Sequence, residues 1–552
     1  MRHLVVVLIL ASGALAALPP LTAQAPAVAP AAAERPKLAV LLVVDQLRTD
    51  YLERSRSNWR AGFRRLLTEG AVFDQGEYPY MNTVTCPGHS TIGTGTFPRT
   101  HGMTLNGWYN RTTGHSINCT DDPESTVVTY GGKESKTGTS AKNLLAPTLA
   151  DEMRAQLKGV RVVSMSLKAR SAIGLAGHAG NAVTWVDDTA AAFSTSRAYA
   201  AAPVPQIAAF LKRDPVEGDG TRVWPLRDAP STYRYPDSSL GGRPQTGRTG
   251  LFPHKVGTAK GPDAQFFGLW QASPYSDAYL GRMAAAMVDD FRLGQREATD
   301  FLGVSLSALD LIGHTFGPES REVEDMMRRL DDTIGALMTH LDTRVGRGNW
   351  VLGFSSDHGV APIASVSGGG RIVTDDIRDR IEETLINRWG PRAEGTYVAS
   401  VTFNYVYFSA GIYQRLKDDP AAYAAMEKAA LEVPGLVRIL RGERLSASSS
   451  DRDVRASALS YVAERSGDLA LIGRPFWYFS PRGDGSGTTH GTNNPYDRQV
   501  PVIVMGGGIK PGRYSGAATP ADLAPTLAQL LGVKMPRAEG RVLREAIISG
   551  TK

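Results

Sequence analysis

Lys37–Asp45, KLAVLLVVD, is an unbroken apolar run that ends on a single carboxylate. Apolar residues without alternation describe a strand covered on both faces, as in a parallel sheet sandwiched by helices. The pattern recurs along the chain. FLGVSLSALDLIGH (301–314) places Asp310 and His314 just past a second apolar strand, and NWVLGFSSDH (349–358) ends on Asp357 and His358. His490 lies in the turn-rich GTTHGTNN (487–494). In an open parallel sheet the carboxyl ends of the strands share one rim, so acids and imidazoles distant in sequence can meet there. Six ligands distributed in this way imply a two-metal centre.

Working outward, 161–167, 301–307, 349–355 and 501–508 read as further strands, and 58–69, 145–157, 275–295 and 320–343 as helices. Near the C-terminus, Thr519 is a candidate N-cap with Pro520 first in the helix and Asp522 facing its positive end. The expected fold is α/β: a large, mostly parallel central sheet sandwiched by helices, occupying 37–552. Lid insertions are expected at about 183–270 and 366–480, where proline, glycine and β-rich segments interrupt the alternation. At 552 residues the chain exceeds the usual single core, which agrees with a large domain carrying insertions.

Residues 1–25 read as a signal peptide: Arg2 and His3 precede LVVVLILASGALAAL, and the small residues TAQA follow. An Ala/Pro-rich linker covers 26–36. The apolar run is too short, and too soon broken by Pro19 and Pro20, for a stable membrane anchor. A periplasmic or secreted protein is expected. The net charge of +6 is small for the length and no Lys/Arg run resembles a nucleic-acid arm, so no nucleic-acid partner is expected. Without heptads or a long exposed apolar helix, the expected state is a monomer. Only two cysteines occur, Cys86 and Cys119; they either pair or stand as two thiols, and cannot build a thiolate cage. Any metal is therefore left to aspartate and histidine.

The loop TVTCPGH (83–89) is followed by a helix over STIGTG (90–95). A hydroxyl such as that of Thr85, placed at a helix start, either caps the helix or faces an anion among unpaired N–H groups. The i, i+4 spacing of Asp310 and His314 lets both face one ion from a helical turn. Asp357 and His358 can do the same where a strand turns into a loop at Gly359.

Taken together, these motifs resemble the alkaline phosphatase superfamily, in the branch shared by nucleotide pyrophosphatase/phosphodiesterases and threonine-nucleophile bacterial alkaline phosphatases. VVDQLR (43–48), TVTCPGHSTIGTGTFPRTHGM (83–103), LDLIGHTFGP (309–318), SSDHGV (355–360) and THGTNNPYDRQVPVIVMG (489–506) follow the family's order, and TPADLAPTLAQLLG (519–532) is its closing helix. The resemblance implies that Asp310, His314 and His490 hold one Zn2+. Asp45, Asp357 and His358, with Thr85, would hold a second. It implies Thr85 as nucleophile, forming a phosphothreonine, with Asn106 and the Cys86 N–H donating to phosphoryl oxygens. Lys168 and Arg170 in SLKAR (166–170), on one side of an extended segment, match the pair of cations that reach the transferred group. Two cations suit a doubly charged monoester, so the expected activity is zinc-dependent hydrolysis of small phosphate monoesters over a broad range. A nucleotide pyrophosphatase/phosphodiesterase is the rival reading, and a non-catalytic phosphate-binding descendant a more distant one. A sulfatase lacks support, because Cys86 is followed by Pro-Gly-His-Ser. His89 and His101 are expected to fix loop geometry.

Overall fold

The computed structural model describes residues 35–548 apart from 132, 134, 136, 238–249, 259, 260 and 484–486, together with Met1 and His3. The expected signal peptide and most of the linker lie outside the described residues. Eleven strands form one mixed sheet. In chain order they are β1 (Leu38–Val44), β2 (Ala71–Gly76), β3 (Asp121–Thr129), β4 (Gly138–Thr139), β5 (Val162–Ser166), β6 (Ala182–Asp187), β7 (Ala192–Ser196), β8 (Asp300–Leu306), β9 (Trp350–Ser355), β10 (Val502–Gly506) and β11 (Gly512–Ala518). Across the sheet the order is β11-β2-β10-β9-β1-β8-β5-β6-β7-β3-β4. The five central strands, β9 to β6, run parallel. Both flanks turn antiparallel, at β10 against β9 and at β7 against β6.

β1 shows why the centre must be parallel and covered. Leu38, Val40, Leu42 and Val44 belong to the core on one face, Ala39, Leu41 and Val43 to the core on the other. Each fully buried leucine or valine contributes on the order of 1.5–3 kcal/mol, which fixes this strand at the middle of the sheet. Register then levels the rim. Val44 pairs with Leu306, Val43 with both Ser305 and Ser355, and Ser305 with Ser166. The next residues out are Asp45, Leu167-Lys168, Ser356-Asp357, and the turn into the helix that carries Asp310.

Five helices matter to that rim: α1 (Thr85–Thr94), α2 (Ala169–Ala176), α3 (Ala308–Phe316), α4 (Arg321–Leu341) and α5 (Leu523–Leu531). Buried Asp277 accepts from the N–H groups of Ser307 (3.0 Å) and Ala308 (3.2 Å), holding the start of α3. The Ser320 hydroxyl caps α4, and a Thr519–Asp522 capping box precedes α5 after one tight turn.

The structure corrects one boundary. β6 and β7 are members of the main sheet, so the stretch outside it begins after Ser196 rather than at 183. The two strands are short, and the acidic turn between them hides their alternation. A third core lies within 372–479, where the strands Val398–Thr402, Tyr405–Phe408, Leu436–Arg441 and Leu469–Gly473 form their own sheet.

Candidate active site

α1 begins at Thr85, five residues before the helix read from sequence. Pro87 belongs to its first turn, where a missing N–H costs nothing. Val84 takes the extended N-cap position and makes no side-chain cap bond, so Thr85 is the first helical residue and not a cap. Its Oγ1 lies 3.4 Å from His358 Nε2. The Cys86 N–H donates to Asn106 Oδ1 at 2.7 Å, so this donor is already engaged, contrary to the expectation that it faces a phosphoryl oxygen. The same bond turns the Asn106 amide so that its nitrogen is the end left to donate. Cys86 and Cys119 form a disulfide, and the Cys119 N–H donates to the Asn106 carbonyl at 2.9 Å, fastening this segment to the helix start.

The three expected histidine ligands share one geometry. Nδ1 of His314 meets the Thr488 carbonyl at 2.7 Å, that of His358 the Gly359 carbonyl at 2.9 Å, and that of His490 the Thr83 carbonyl at 2.9 Å. A carbonyl only accepts, so Nδ1 carries the proton and Nε2 presents a lone pair. In each case Nε2 points at carboxylates: His314 lies 3.2 Å and His490 3.7 Å from Asp310 Oδ1, and His358 lies 3.1 Å from Asp357 Oδ2. Asp357 Oδ2 is buried and has no hydrogen-bond donor. Lone pair facing buried lone pair is repulsive unless a cation or proton sits between, and a carboxylate–imidazole set with Nδ1 held by carbonyls is how metal ligands are oriented. The residues therefore fit divalent metal. Asp310, His314 and His490 place ligand atoms within 4.8 Å of one another, and so do Asp45, His89 and Asp357.

Lys168 joins the two groups. Its Nζ donates to Asp45 Oδ2 at 2.9 Å and to Asp310 Oδ2 at 2.6 Å. Burial would lower the lysine pKa, but the Asp310 and Asp45 carboxylates outweigh it and raise it. Burial likewise opposes ionisation of both acids, yet Lys168, bonded to each, holds Asp45 and Asp310 far below the ordinary range. Burial holds the His490 imidazole well below the usual histidine range. The expected extended segment is replaced here: Lys168 is the N-cap residue of α2 and Arg170 lies in its first turn, with Nε buried and unpartnered. Both cations thus crowd the positive end of a helix.

Known proteins resemble this chain over most of its length. Residues 39–494 match the family described as type I phosphodiesterase / nucleotide pyrophosphatase. The chain belongs to that family. Alkaline phosphatase PhoV of Synechococcus elongatus is 30% identical over 95% of this chain and 95% of its own. A protein named calcium-transporting ATPase from Myroides odoratus is 33% identical, covering 93% of this chain and 95% of its own. Alkaline phosphatase PafA of Elizabethkingia meningoseptica is 32% identical over 94% of this chain and 95% of its own. A crystal structure of wild-type PafA superimposes with a TM-score of 0.82 at 29% identity, covering 93% of this chain and 99% of that one. The expectation of an alkaline-phosphatase-like fold holds, and so does that of a phosphatase enzyme. No helix among the described residues is long and apolar enough to cross a membrane.

Within this phosphodiesterase-family centre the structure adds residues that sequence reading passed over. His89, expected only to shape the loop, donates from Nδ1 to the Thr85 carbonyl at 3.0 Å and lies 3.3 Å from Asp45 through Nε2. Its i, i+4 relation to Thr85 was readable once the helix is started at Thr85. His101 does fix geometry, bridging Thr91 in α1 to the Met103 N–H. Gln46, at φ 66°, donates from Nε2 to Asp310 Oδ1 at 2.7 Å and from its backbone N–H to Asp357 Oδ1 at 3.1 Å, so one residue orients an acid from each group. Ser305 donates to Asp45 Oδ1 at 2.9 Å. Nothing in the sequence marks Gln46 or Ser305 apart from their place at strand ends.

Proposed function

We propose that this protein is a zinc-dependent alkaline phosphatase that hydrolyses small phosphate monoesters over a broad range through a covalent phosphothreonine. The observation that carries the reading is the Thr85 hydroxyl beside His358, adjoining two buried groups of carboxylates and imidazoles that Lys168 bridges. Asp310, His314 and His490 would hold one ion, and Asp45, Asp357 and His358, with Thr85, the other; His89 supports the second group. The donors are carboxylate and imidazole, and both cysteines are tied in a disulfide, a set that suits zinc. When bound, the ions would supply Lewis acidity that lowers the threonine pKa and steadies the leaving oxygen.

Thr85 Oγ1 gives up its proton to solvent and forms the bond to phosphorus as the ester P–O bond breaks, and the departing oxygen takes a proton from solvent. Water then cleaves the phosphothreonine, releasing phosphate and restoring the hydroxyl. Asn106 Nδ2, Lys168 and Arg170 donate to the non-bridging oxygens, whose charge is greatest in the transition state. Two basic side chains at a helix N-terminus oppose the helix dipole and destabilise the isolated helix. Such a local conflict is expected where an anion must be drawn in. The dianionic phosphoryl group of a monoester supplies that charge more fully than a diester.

A disulfide agrees with a periplasmic or secreted setting, where the protein would act as a monomer in phosphate acquisition. The deciding experiment measures kcat/KM for matched monoesters and diesters in wild type, Thr85→Ala and Lys168→Ala, with metal analysis on each. Thr85→Ala is expected to abolish turnover of both. Lys168→Ala is expected to lower monoester kcat/KM far more than diester kcat/KM; an equal or greater loss on diesters would move the protein to the phosphodiesterase reading.

A further inference from the structure

A cavity of about 230 Å³ opens beside the candidate centre, and its lining divides into two kinds. His314 and His490 contribute imidazoles; Val84, Leu105 and Phe403 contribute apolar surface; Asn106 lies among them. The cavity borders the group of Asp310, whereas Thr85 Oγ1 sits beside His358 in the other group. An in-line displacement expels its leaving oxygen on the side away from the nucleophile. The cavity therefore lies on the leaving-group side.

Phe403 reaches that cavity from the separate sheet within 372–479. It is the first residue of a two-residue turn, because Thr402 pairs with Tyr405. Its φ is 54°, a left-handed conformation that a bulky side chain rarely adopts and that glycine would take at less cost. Phe403 is half-buried. It lies 5.8 Å from the Phe479 ring, centre to centre. On another side it closes on Gly491, where an added Cβ would meet Phe403 Cζ at 2.4 Å. The next turn residue, Asn404, donates to Asn82 Oδ1 at 2.9 Å, and Asn82 donates to the Thr104 carbonyl at 3.1 Å. The strained turn is thus fastened to the segment that leads into Thr85, three residues on from Asn82. An aromatic side chain, costly to place, is held at the cavity by a turn tied to the segment before Thr85.

We propose that Phe403 is a specificity-determining residue: its ring face, with Val84 and Leu105, forms an apolar subsite for flat aromatic leaving groups, so that aryl phosphate monoesters are preferred. This inference rests on the monoesterase reading and adds the leaving-group class. Ring stacking and burial of an aryl group act on the ester as bound and do not require new polar contacts.

The test compares phenyl phosphate with glycerol phosphate in zinc-loaded wild type, Phe403→Ala, Phe403→Leu and Phe403→Tyr. Each variant is referred to wild type on the same ester, which cancels the difference in leaving-group acidity. Phe403→Ala and Phe403→Leu are expected to lose about ten-fold in kcat/KM on phenyl phosphate, mainly through KM, and no more than about three-fold on glycerol phosphate. Phe403→Tyr, which keeps the ring, is expected to retain the aryl preference. Phe403→Leu preserves apolar bulk against Gly491, so it guards against a collapsed turn in the alanine variant. Affinity for phenylphosphonate relative to methylphosphonate should fall in parallel, read by calorimetry. Equal losses on both esters, or none on phenyl phosphate, would overturn the proposal while leaving the monoesterase reading intact. If wild type shows no Thr85-dependent turnover of either ester, the monoesterase reading falls, and the subsite with it.

Discussion

Gly88 has no space for a methyl group. A Cβ there would lie 2.2 Å from the Asp357 carbonyl oxygen and 2.7 Å from Asp357 Cα, both backbone, so α1 and the loop after β9 would have to part. Gly88→Ala is expected to separate Thr85 from Asp357 and His358 and to cut kcat/KM about a hundred-fold, with secondary structure retained by circular dichroism. Wild-type activity in this variant would show that the close approach is dispensable. His101 gives a residue-scale prediction of a different sort. Its Nδ1 accepts from the Met103 N–H, and burial, aided by Arg465, pushes its pKa down to about 3. A base whose folded pKa is depressed stabilises the fold above its unfolded value of 6.5 and loses that contribution as pH falls from 6.5 through about 3. Melting temperature is expected to fall with acidity over this window, and His101→Gln to flatten that slope at some loss of stability at neutral pH; an unchanged slope would exclude His101 as its source. Single residues were legible where chemistry and spacing agree, as at Asp310 and His314. Gln46 was not, because its role depends on a left-handed backbone that brings one acid to its side chain and another to its backbone N–H.

The elements around the centre were legible by composition and misread at their ends. Pro87 in the TVTCPGH segment suggested a loop, yet a proline in the first turn of a helix loses no bond, so α1 starts at Thr85. The KAR segment suggested an extended strand end, whereas Lys168 caps and Arg170 enters α2. Both errors fall at helix N-termini whose N-cap residues make no side-chain cap bond, so ordinary capping preference gave no signal. At this scale the Cys86–Cys119 bridge does structural work, closing a separation of 33 residues that includes α1 and Asn106. Replacing both cysteines with serine is expected to lower stability by about 3–4 kcal/mol on the chain-entropy account, measured by urea unfolding. KM should rise more than kcat falls, because Asn106 loses its anchor while Thr85 keeps its helix. Stability equal to wild type would mean that packing alone fixes the segment.

At the scale of the whole molecule, the parallel centre follows from apolar runs alone, while the antiparallel flanks and the late start of the first insertion do not. Edge pairing is chosen by tertiary contacts that a short strand such as β7 does not advertise. The centre draws on β1, β5, β8 and β9 and on the loop carrying His490, so nearly the full length of the chain meets in one pocket. A metal held there cross-links elements that are hundreds of residues apart, and its binding free energy becomes folding free energy. Removing metal with a chelator is therefore expected to lower the calorimetric melting temperature of the entire domain, not of one lobe, and zinc to restore it. At a thousand-fold excess over Kd one site contributes about 4 kcal/mol. Asp310→Asn removes a ligand from one group but leaves Asp45, Asp357 and His358, so its zinc-dependent increment should fall by roughly half rather than vanish. Because Lys168 bonds both Asp45 and Asp310, the metal-free variant also loses part of one buried ion pair and should melt below metal-free wild type. A chelated wild type that melts as high as the zinc-loaded protein would show that the rim is held by packing and that the ligands are not joined through a cation.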